Sequence, residues 1–184
     1  MNLYEMFREH SGRQIDKWEH YFSIYEKHFA KFRGEEIRVL EIGIDHGGSL
    51  QLWQRYFGSR AEIIGVDIRP ETMFKYEEGH IRTLCMDQTD IALADYGPFD
   101  IVIDDGSHVL SHQEQTFANL WPRTRGVYLI EDCHGCFPAM TPRPPLVYEY
   151  PWVIVAERPR RIIKGEPMRE LRQDETDARA LYAR

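Results

Sequence analysis

No stretch of this chain approaches the roughly 20 apolar residues that a membrane-spanning helix needs. Its polar, charged first residues contain no secretory apolar core. Cysteine is scarce: Cys85, Cys133 and Cys136 are the full set. An odd, sparse set in a medium-sized chain argues against a disulfide framework and makes a reducing cytoplasm the expected compartment. Positive charge is short as well. Lysine and arginine number 23 against 30 aspartates and glutamates, a net charge of -7, which argues against general binding to nucleic acid or to an anionic membrane. Repeats and low-complexity tracts are missing. What remains is ordinary globular composition, 42% hydrophobic and 29% charged, in a length that fits one domain over residues 1–184 with a substantial core.

Cys133 and Cys136 form a CxxC with His134 between them. A structural zinc site needs four ligands, and the chain holds no second CxxC to complete one. A redox CxxC opens a helix early in its fold, whereas this one follows a late strand. Incidental spacing is the favoured reading, with zinc or redox use left open.

Residues 1–33 read as helical. Trp18, Tyr21, Phe22, Tyr25, Phe29 and Phe32 fall on one helical face, and Gly34 is placed to cap it. The stripe suits packing on the core or on a partner subunit better than lining a site. From residue 37 the pattern changes. Apolar runs at Ile37–Ile42, Ile63–Ile68, Ile81–Met86, Ile101–Ile103 and Val127–Ile130 read as strands. Leu50–Phe57, residues 71–79 and a segment through Trp121 read as helices, the last opened by Ser111 and Glu114 at capping-box spacing. Strands alternating with helices imply an α/β fold: a Rossmann-like, doubly wound, mostly parallel sheet covered on both faces. Residues 135–151 hold five prolines and read as an irregular loop. Trp152–Ala156 and Arg161–Lys164 then suit a C-terminal antiparallel hairpin. Residues 166–184 form a charged tail or a short helix.

The densest chemistry lies between Phe99 and His134. FDIVIDDGSH and GVYLIEDCH each run from an apolar strand into two acidic residues followed closely by a histidine. As neighbouring parallel strands they gather four carboxylates at one sheet edge. That is costly unless a cation or protons neutralise it. Ligands of such sheets bind beyond the carboxyl ends of the strands, where Asp67, Asp87, Asp104, Asp105, Glu131 and Asp132 all fall.

A glycine-rich loop follows the first strand, VLEIGIDHGGS. Gly43, Gly47 and Gly48 allow tight turns and close approach of a ligand, and the next helix offers its N-terminus to a carboxylate. Asp67 is placed to accept hydrogen bonds from ribose hydroxyls. NAD sites and S-adenosylmethionine (SAM) sites share such a loop and acid. Three details favour SAM. The loop is not GxGxxG. Glu41 sits at the strand end, where a carboxylate suits an amino group and repels a pyrophosphate. Asp87 ends the third strand, within reach of an adenine amino group. Ser49, Gln88 and Asp104 complete the candidate cofactor-binding set with Glu41, Gly43, Gly47, Asp67 and Asp87. A purely structural glycine turn and an NAD site remain the alternatives.

VLEIGIDHGGS, IIGVDI, the Asp87 position and the terminal hairpin resemble class I SAM-dependent methyltransferases. DKW at Asp16–Trp18, IDDGSH at Ile103–His108 and IEDCH at Ile130–His134 are similar to the metal-dependent sugar O-methyltransferases of antibiotic biosynthesis. These include the macrocin, mycinamicin and aminocoumarin-sugar enzymes, with cephalosporin-hydroxylase-type proteins also similar. The resemblance covers about residues 14 to 165. It implies Mg²⁺, or Mn²⁺, held by Asp105, Glu131 and Asp132, with Asp104 able to replace Asp105 according to strand register. It also implies His108 as general base, with His134 a second candidate, and brings Tyr21 and Tyr25 near the cofactor. A cation of this kind lowers the pKa of a coordinated sugar hydroxyl and fixes its approach to the sulfonium methyl.

The expected acceptor is a small molecule or saccharide, with no nucleic-acid or membrane partner. Against the family pattern the chain is short. The region that commonly covers the acceptor is here the proline-rich 135–151, which leaves room for a homo-oligomer and for a larger glycosylated acceptor. A metal-independent methyltransferase and a non-catalytic SAM-binding subunit are the competing readings.

Overall fold

The computed structural model describes residues 1–72, 80–133 and 138–159. Among these residues seven strands form one sheet: β1 (Arg38–Ile42), β2 (Glu62–Asp67), β3 (Ile81–Cys85), β4 (Phe99–Asp104), β5 (Thr124–Ile130), β6 (Leu146–Tyr150) and β7 (Val153–Glu157). Their order is β3-β2-β1-β4-β5-β7-β6. β1 to β5 are mutually parallel, and β7 runs antiparallel to both β5 and β6. Among the described residues four α-helices flank the sheet: α1 (Leu3–Arg8), α2 (Tyr21–Phe29), α3 (Gly48–Phe57) and α4 (Leu110–Leu120).

The central strands read as unbroken apolar runs because both their faces are buried. Alternate residues divide between two cores. Val39, Ile63, Ile101, Ile103, Val127 and Leu129 pack with Tyr25, Phe29, Trp53 and Phe57 of α2 and α3. Leu40, Ile64, Val102, Tyr128 and Ile130 pack with Phe117, Leu120 and Trp121 at the α4 end. Among the described residues no helix is long and apolar enough to cross a membrane.

The doubly wound sheet, the antiparallel end and the expected Trp152–Ala156 strand agree with the sequence reading, but that strand's hairpin partner precedes it in the chain. The hairpin's strands are Leu146–Tyr150 and Val153–Glu157, joined at Pro151–Trp152. The prolines of the 135–151 segment thus flank LVYEY rather than interrupt it. Arg161–Lys164 and the tail lie outside the described residues, as do residues 73–79 of the expected third helix.

The N-terminal segment is not one helix. It breaks after α1 and resumes at Tyr21, with Ala30–Phe32 a terminal 3-10 turn. The break has a tertiary cause: residues 13–15 lie directly over the start of α3, where any Cβ on Gly48 would collide with the carbonyls of Arg13 and Gln14. The Arg13 N–H also donates to Gln51 Oε1 (2.9 Å). Trp18 therefore leaves the stripe and is half exposed, while Tyr21, Phe22, Tyr25 and Phe29 are buried. The capping box at Ser111 and Glu114 does not form. α4 opens two residues earlier, with Val109 at its N-cap, and Glu114 accepts instead from the Ala139 N–H.

Candidate active site

Strand register sets the acidic residues in rows. Ile42, Asp104 and Ile130 are level across β1, β4 and β5. The next row, Gly43, Asp105 and Glu131, therefore emerges together at the carboxyl edge. There an open cavity of about 610 Å³ is walled by Gly43, Asp67, Asp87, Gln88, Asp105, His108, Glu131 and Asp132, with Lys17, Trp18 and Tyr21 from the N-terminal segment.

Three residues converge most tightly. Asp105, His108 and Asp132 each offer a ligand atom within 4.8 Å of the others. His108 Nε2 lies 3.9 Å from Asp105 Oδ1 and 3.7 Å from Asp132 Oδ2. His108 and Asp132 both hold positive φ (58° and 53°), as does Asp45 (41°). Non-glycine residues in this region store strain that surrounding contacts must hold, and three of the four instances among the described residues line this cavity. Oxygen-rich donors with one imidazole suit a hard divalent cation.

Glu131 is arranged differently. It is almost wholly buried, and both its oxygens are engaged: Oε1 accepts from the Tyr25 hydroxyl (2.7 Å), and Oε2 faces Lys17 Nζ (3.0 Å). The same ammonium reaches Asp105 Oδ2 (2.6 Å) and Glu41 Oε1 (3.2 Å). Burial alone would lower the Lys17 pKa, but the Asp105 and Glu131 carboxylates hold it well above the ordinary lysine value. Burial likewise pushes Glu131 up, against the opposing pull of Lys17.

The cofactor candidates divide by placement. Asp67, at the end of β2, borders the cavity. Its Oδ2 accepts from the N–H groups of Ile44 (3.2 Å) and Asp45 (3.3 Å), and its Oδ1 from the Arg69 N–H (2.9 Å). Burial would raise its pKa, but the Arg69 hydrogen bonds hold it below the usual carboxylate range. Gly43 borders the cavity too. Its φ of +81° and the Asp105 carbonyl, which a Cβ would strike, both require glycine. That close approach is to the chain's own backbone.

Asp87 is exposed and turns back to Thr89, accepting from its N–H and hydroxyl (2.8 Å each). Gln88 accepts from the Ser107 N–H (2.7 Å), fixing the loop that carries His108. Glu41, Gly47 and Ser49 do not line the cavity. Gly47 supplies a left-handed turn ahead of α3. Ser49 donates to Glu41 Oε2 (2.7 Å), so Glu41 meets the cavity only through Lys17. Asp104 is also set back. Fully buried, it accepts from Gln88 Nε2 and the Tyr128 hydroxyl (3.3 Å each), and burial raises its pKa to about 7. Its side chain thus turns to the α4 core, away from the cavity that Asp105 borders.

Two residues of the site were not singled out from sequence. Lys17 is one, although it stands in the DKW that carried the resemblance. Arg69 is the other, pairing with Asp67 and Asp45 at the cavity wall. His134 and Cys136 lie outside the described residues. Cys133 is buried, its thiol directed at the carbonyls of Ile130 and Glu131.

No family model matches the chain. It is 43% identical over 161 residues to 8-demethyl-8-(2-methoxy-alpha-L-rhamnosyl)-tetracenomycin-C 3'-O-methyltransferase of Streptomyces olivaceus, covering 77% of this chain and 40% of that protein. It is 46% identical over 122 residues to demethylmacrocin O-methyltransferase of Streptomyces fradiae, covering 59% and 30%. Among solved structures it resembles the MycE methyltransferase of the mycinamycin biosynthetic pathway in complex with Mg, SAH and mycinamycin VI. The TM-score is 0.71 at 30% identity, over 98% of this chain and 59% of that one. The chain thus spans less than half the length of these curated relatives.

Proposed function

We propose that this chain, similar in sequence and fold to the sugar O-methyltransferases of antibiotic biosynthesis, is a SAM-dependent O-methyltransferase unit. It uses Mg²⁺, or Mn²⁺, and methylates a hydroxyl of a sugar or glycosylated metabolite. One observation carries the reading: Asp105, His108 and Asp132 converge at the carboxyl edge of the sheet on the same cavity that Gly43 and Asp67 border. A methyl donor and an acceptor hydroxyl brought into that cavity meet as an oriented pair.

In this reading Asp105 and Asp132 hold the cation, with Glu131 as the third acidic residue of the set. When bound, the cation lowers the pKa of the acceptor hydroxyl and orients it. His108 takes the hydroxyl proton at Nε2, the ring nitrogen that faces Asp105 and Asp132. An imidazole suits that task near neutral pH. Asp67 accepts from the ribose of SAM, and Asp87 and Gln88 stand at the adenine end. Trp18 is half exposed at the cavity wall, with Trp152 5.0 Å away between ring centroids. The Trp18 ring, steadied edge-on by Trp152, offers an apolar face for one side of a pyranose. The saccharide acceptor rests on that surface and on the activities of the relatives, two of which are named for rhamnosyl tetracenomycins.

One observation favours a metal-independent alternative: Lys17 already supplies a cation to Asp105 and Glu131. Calorimetry separates the readings. We expect S-adenosylhomocysteine (SAH) to bind, and Mg²⁺ titrated into that complex to give a signal that Asp105→Ala removes. SAH binding with no cation signal, even with a rhamnoside acceptor present, supports the metal-independent enzyme. Absence of SAH binding overturns the methyltransferase assignment.

A further inference from the structure

Lys17 ties together three strand ends that no other side chain among the described hydrogen bonds and ion pairs joins. Its ammonium contacts Glu41 at the end of β1, Asp105 just past β4 and Glu131 just past β5. Its side chain is only 5% exposed, so water contributes little to balancing these charges. The contacts are also selective by atom. Lys17 takes Oδ2 of Asp105 and Oε2 of Glu131, leaving Asp105 Oδ1 toward His108 and Asp132. The ammonium therefore leaves Asp105 Oδ1, His108 and Asp132 outside its own contacts. The segment that brings it is anchored independently, by Arg13 on Gln51 and by the backbone of residues 13–15 packed over Gly48.

We propose that Lys17 is a resident cation and a positioning residue: it keeps the cofactor side and the acidic side of the cavity assembled before a divalent ion arrives, and so uncouples SAM binding from that ion. The proposal rests on the SAM and cation reading above. Without the ammonium, Glu41, Asp105 and Glu131 face one another with like charge in a dry setting, where repulsion is poorly screened. With Glu41 Oε2 and Glu131 Oε1 already taken by Ser49 and Tyr25, a divalent ion at Asp105 Oδ1 is then the nearest cation left to offset that charge. Cofactor binding becomes dependent on that ion by linkage.

The test is the dissociation constant of SAH in EDTA and in saturating Mg²⁺, for the wild type and for Lys17→Met. Wild type should bind SAH about equally in both buffers. Lys17→Met should bind more weakly in EDTA than in Mg²⁺, by about 5–150-fold, the usual span of site-to-site coupling. A merely structural lesion weakens binding equally in both buffers, and that result overturns the proposal. So does a wild type that loses SAH binding on chelation, which decides the matter even if Lys17→Met fails to fold. Wild type that binds no SAH in Mg²⁺ is a different failure, that of the methyltransferase reading itself.

Discussion

Tyr21 and Asp132 hold each other twice. The Tyr21 hydroxyl donates to Asp132 Oδ1 and accepts from the backbone N–H of the same residue (3.2 Å). This pairing restrains Asp132 at its positive φ of 53° and leaves Oδ2 directed at His108. A helix 111 residues earlier in the chain thus sets the orientation of a candidate ligand.

Removing the hydroxyl should loosen that ligand while sparing the core, because the ring of Tyr21 stays packed. Tyr21→Phe should weaken Mn²⁺ binding by roughly 10–100-fold, the usual effect of losing a group that orients a ligand. Electron paramagnetic resonance titration of free Mn²⁺ measures this directly. Affinity equal to wild type would show that Asp132 orients without Tyr21.

Asp67 is the acid most exposed to a single clear test. If it accepts from the ribose, Asp67→Asn should raise the SAH dissociation constant by about 10-fold or more, since hydrogen bonds to a charged group are worth about 1.5–3 kcal/mol. The asparagine still offers one oxygen to the Ile44 and Asp45 N–H groups, which limits collapse of the loop. Calorimetry with unchanged affinity would remove Asp67 from the cofactor site.

The fold and the site were legible in the sequence to different depths. The central parallel strands could be read because burial on both faces leaves mostly apolar runs with acids at their ends, whereas the edge strand β3, with Arg82 and Cys85 exposed, carries a weaker pattern. β6 could not, because Pro145 and Pro151 border a strand-favouring LVYEY that the proline count obscured. The break between α1 and α2 was hidden as well: it arises from the packing of residues 13–15 on Gly48, which no local preference encodes. DD at 104 and 105 left open which carboxylate faces the cavity, and only register turns Asp104 to the α4 core. Lys17 carried no signal of its own beyond its place in DKW. Its burial depends on residues 41, 105 and 131 meeting it, a fact of topology alone.

His28 gives a prediction on stability away from the site. It is buried, and burial first, then Lys27 and Lys31, depresses its pKa to about 3. Nδ1 lies 3.3 Å from Glu157 Oε2 and Nε2 lies 2.8 Å from the Tyr150 hydroxyl. A neutral ring fits both if Nδ1–H donates to Glu157 and Nε2 accepts from Tyr150. The Glu157 charge is meanwhile met by Lys31. The unfolded chain takes up a proton near pH 6.5 that the folded chain refuses until about pH 3. Unfolding then binds a proton, so stability rises with pH across this window and is lost progressively as pH falls below about 6.5. Urea unfolding at a series of pH values should show this slope reduced in His28→Gln. An equal slope in both proteins would mean that His28 does not carry it.

His108 and Asp105 lie three residues apart, and their variants should fail in different ways. In the proposed chemistry Asp105 holds the cation and His108 moves a proton. Asp105→Asn should therefore lose Mn²⁺ affinity together with turnover. His108→Ala should keep both SAH and Mn²⁺ affinity while turnover falls by roughly 10²–10⁴, the usual weight of a general base. The loss should sit in kcat rather than KM, because proton removal belongs to the transition state. Nε2 nevertheless lies near enough to Asp105 and Asp132 to act as a ligand, and the same variant separates the two roles. If His108→Ala lowers Mn²⁺ affinity as far as Asp105→Asn does, the imidazole belongs to the cation, and the acceptor proton must leave by another group.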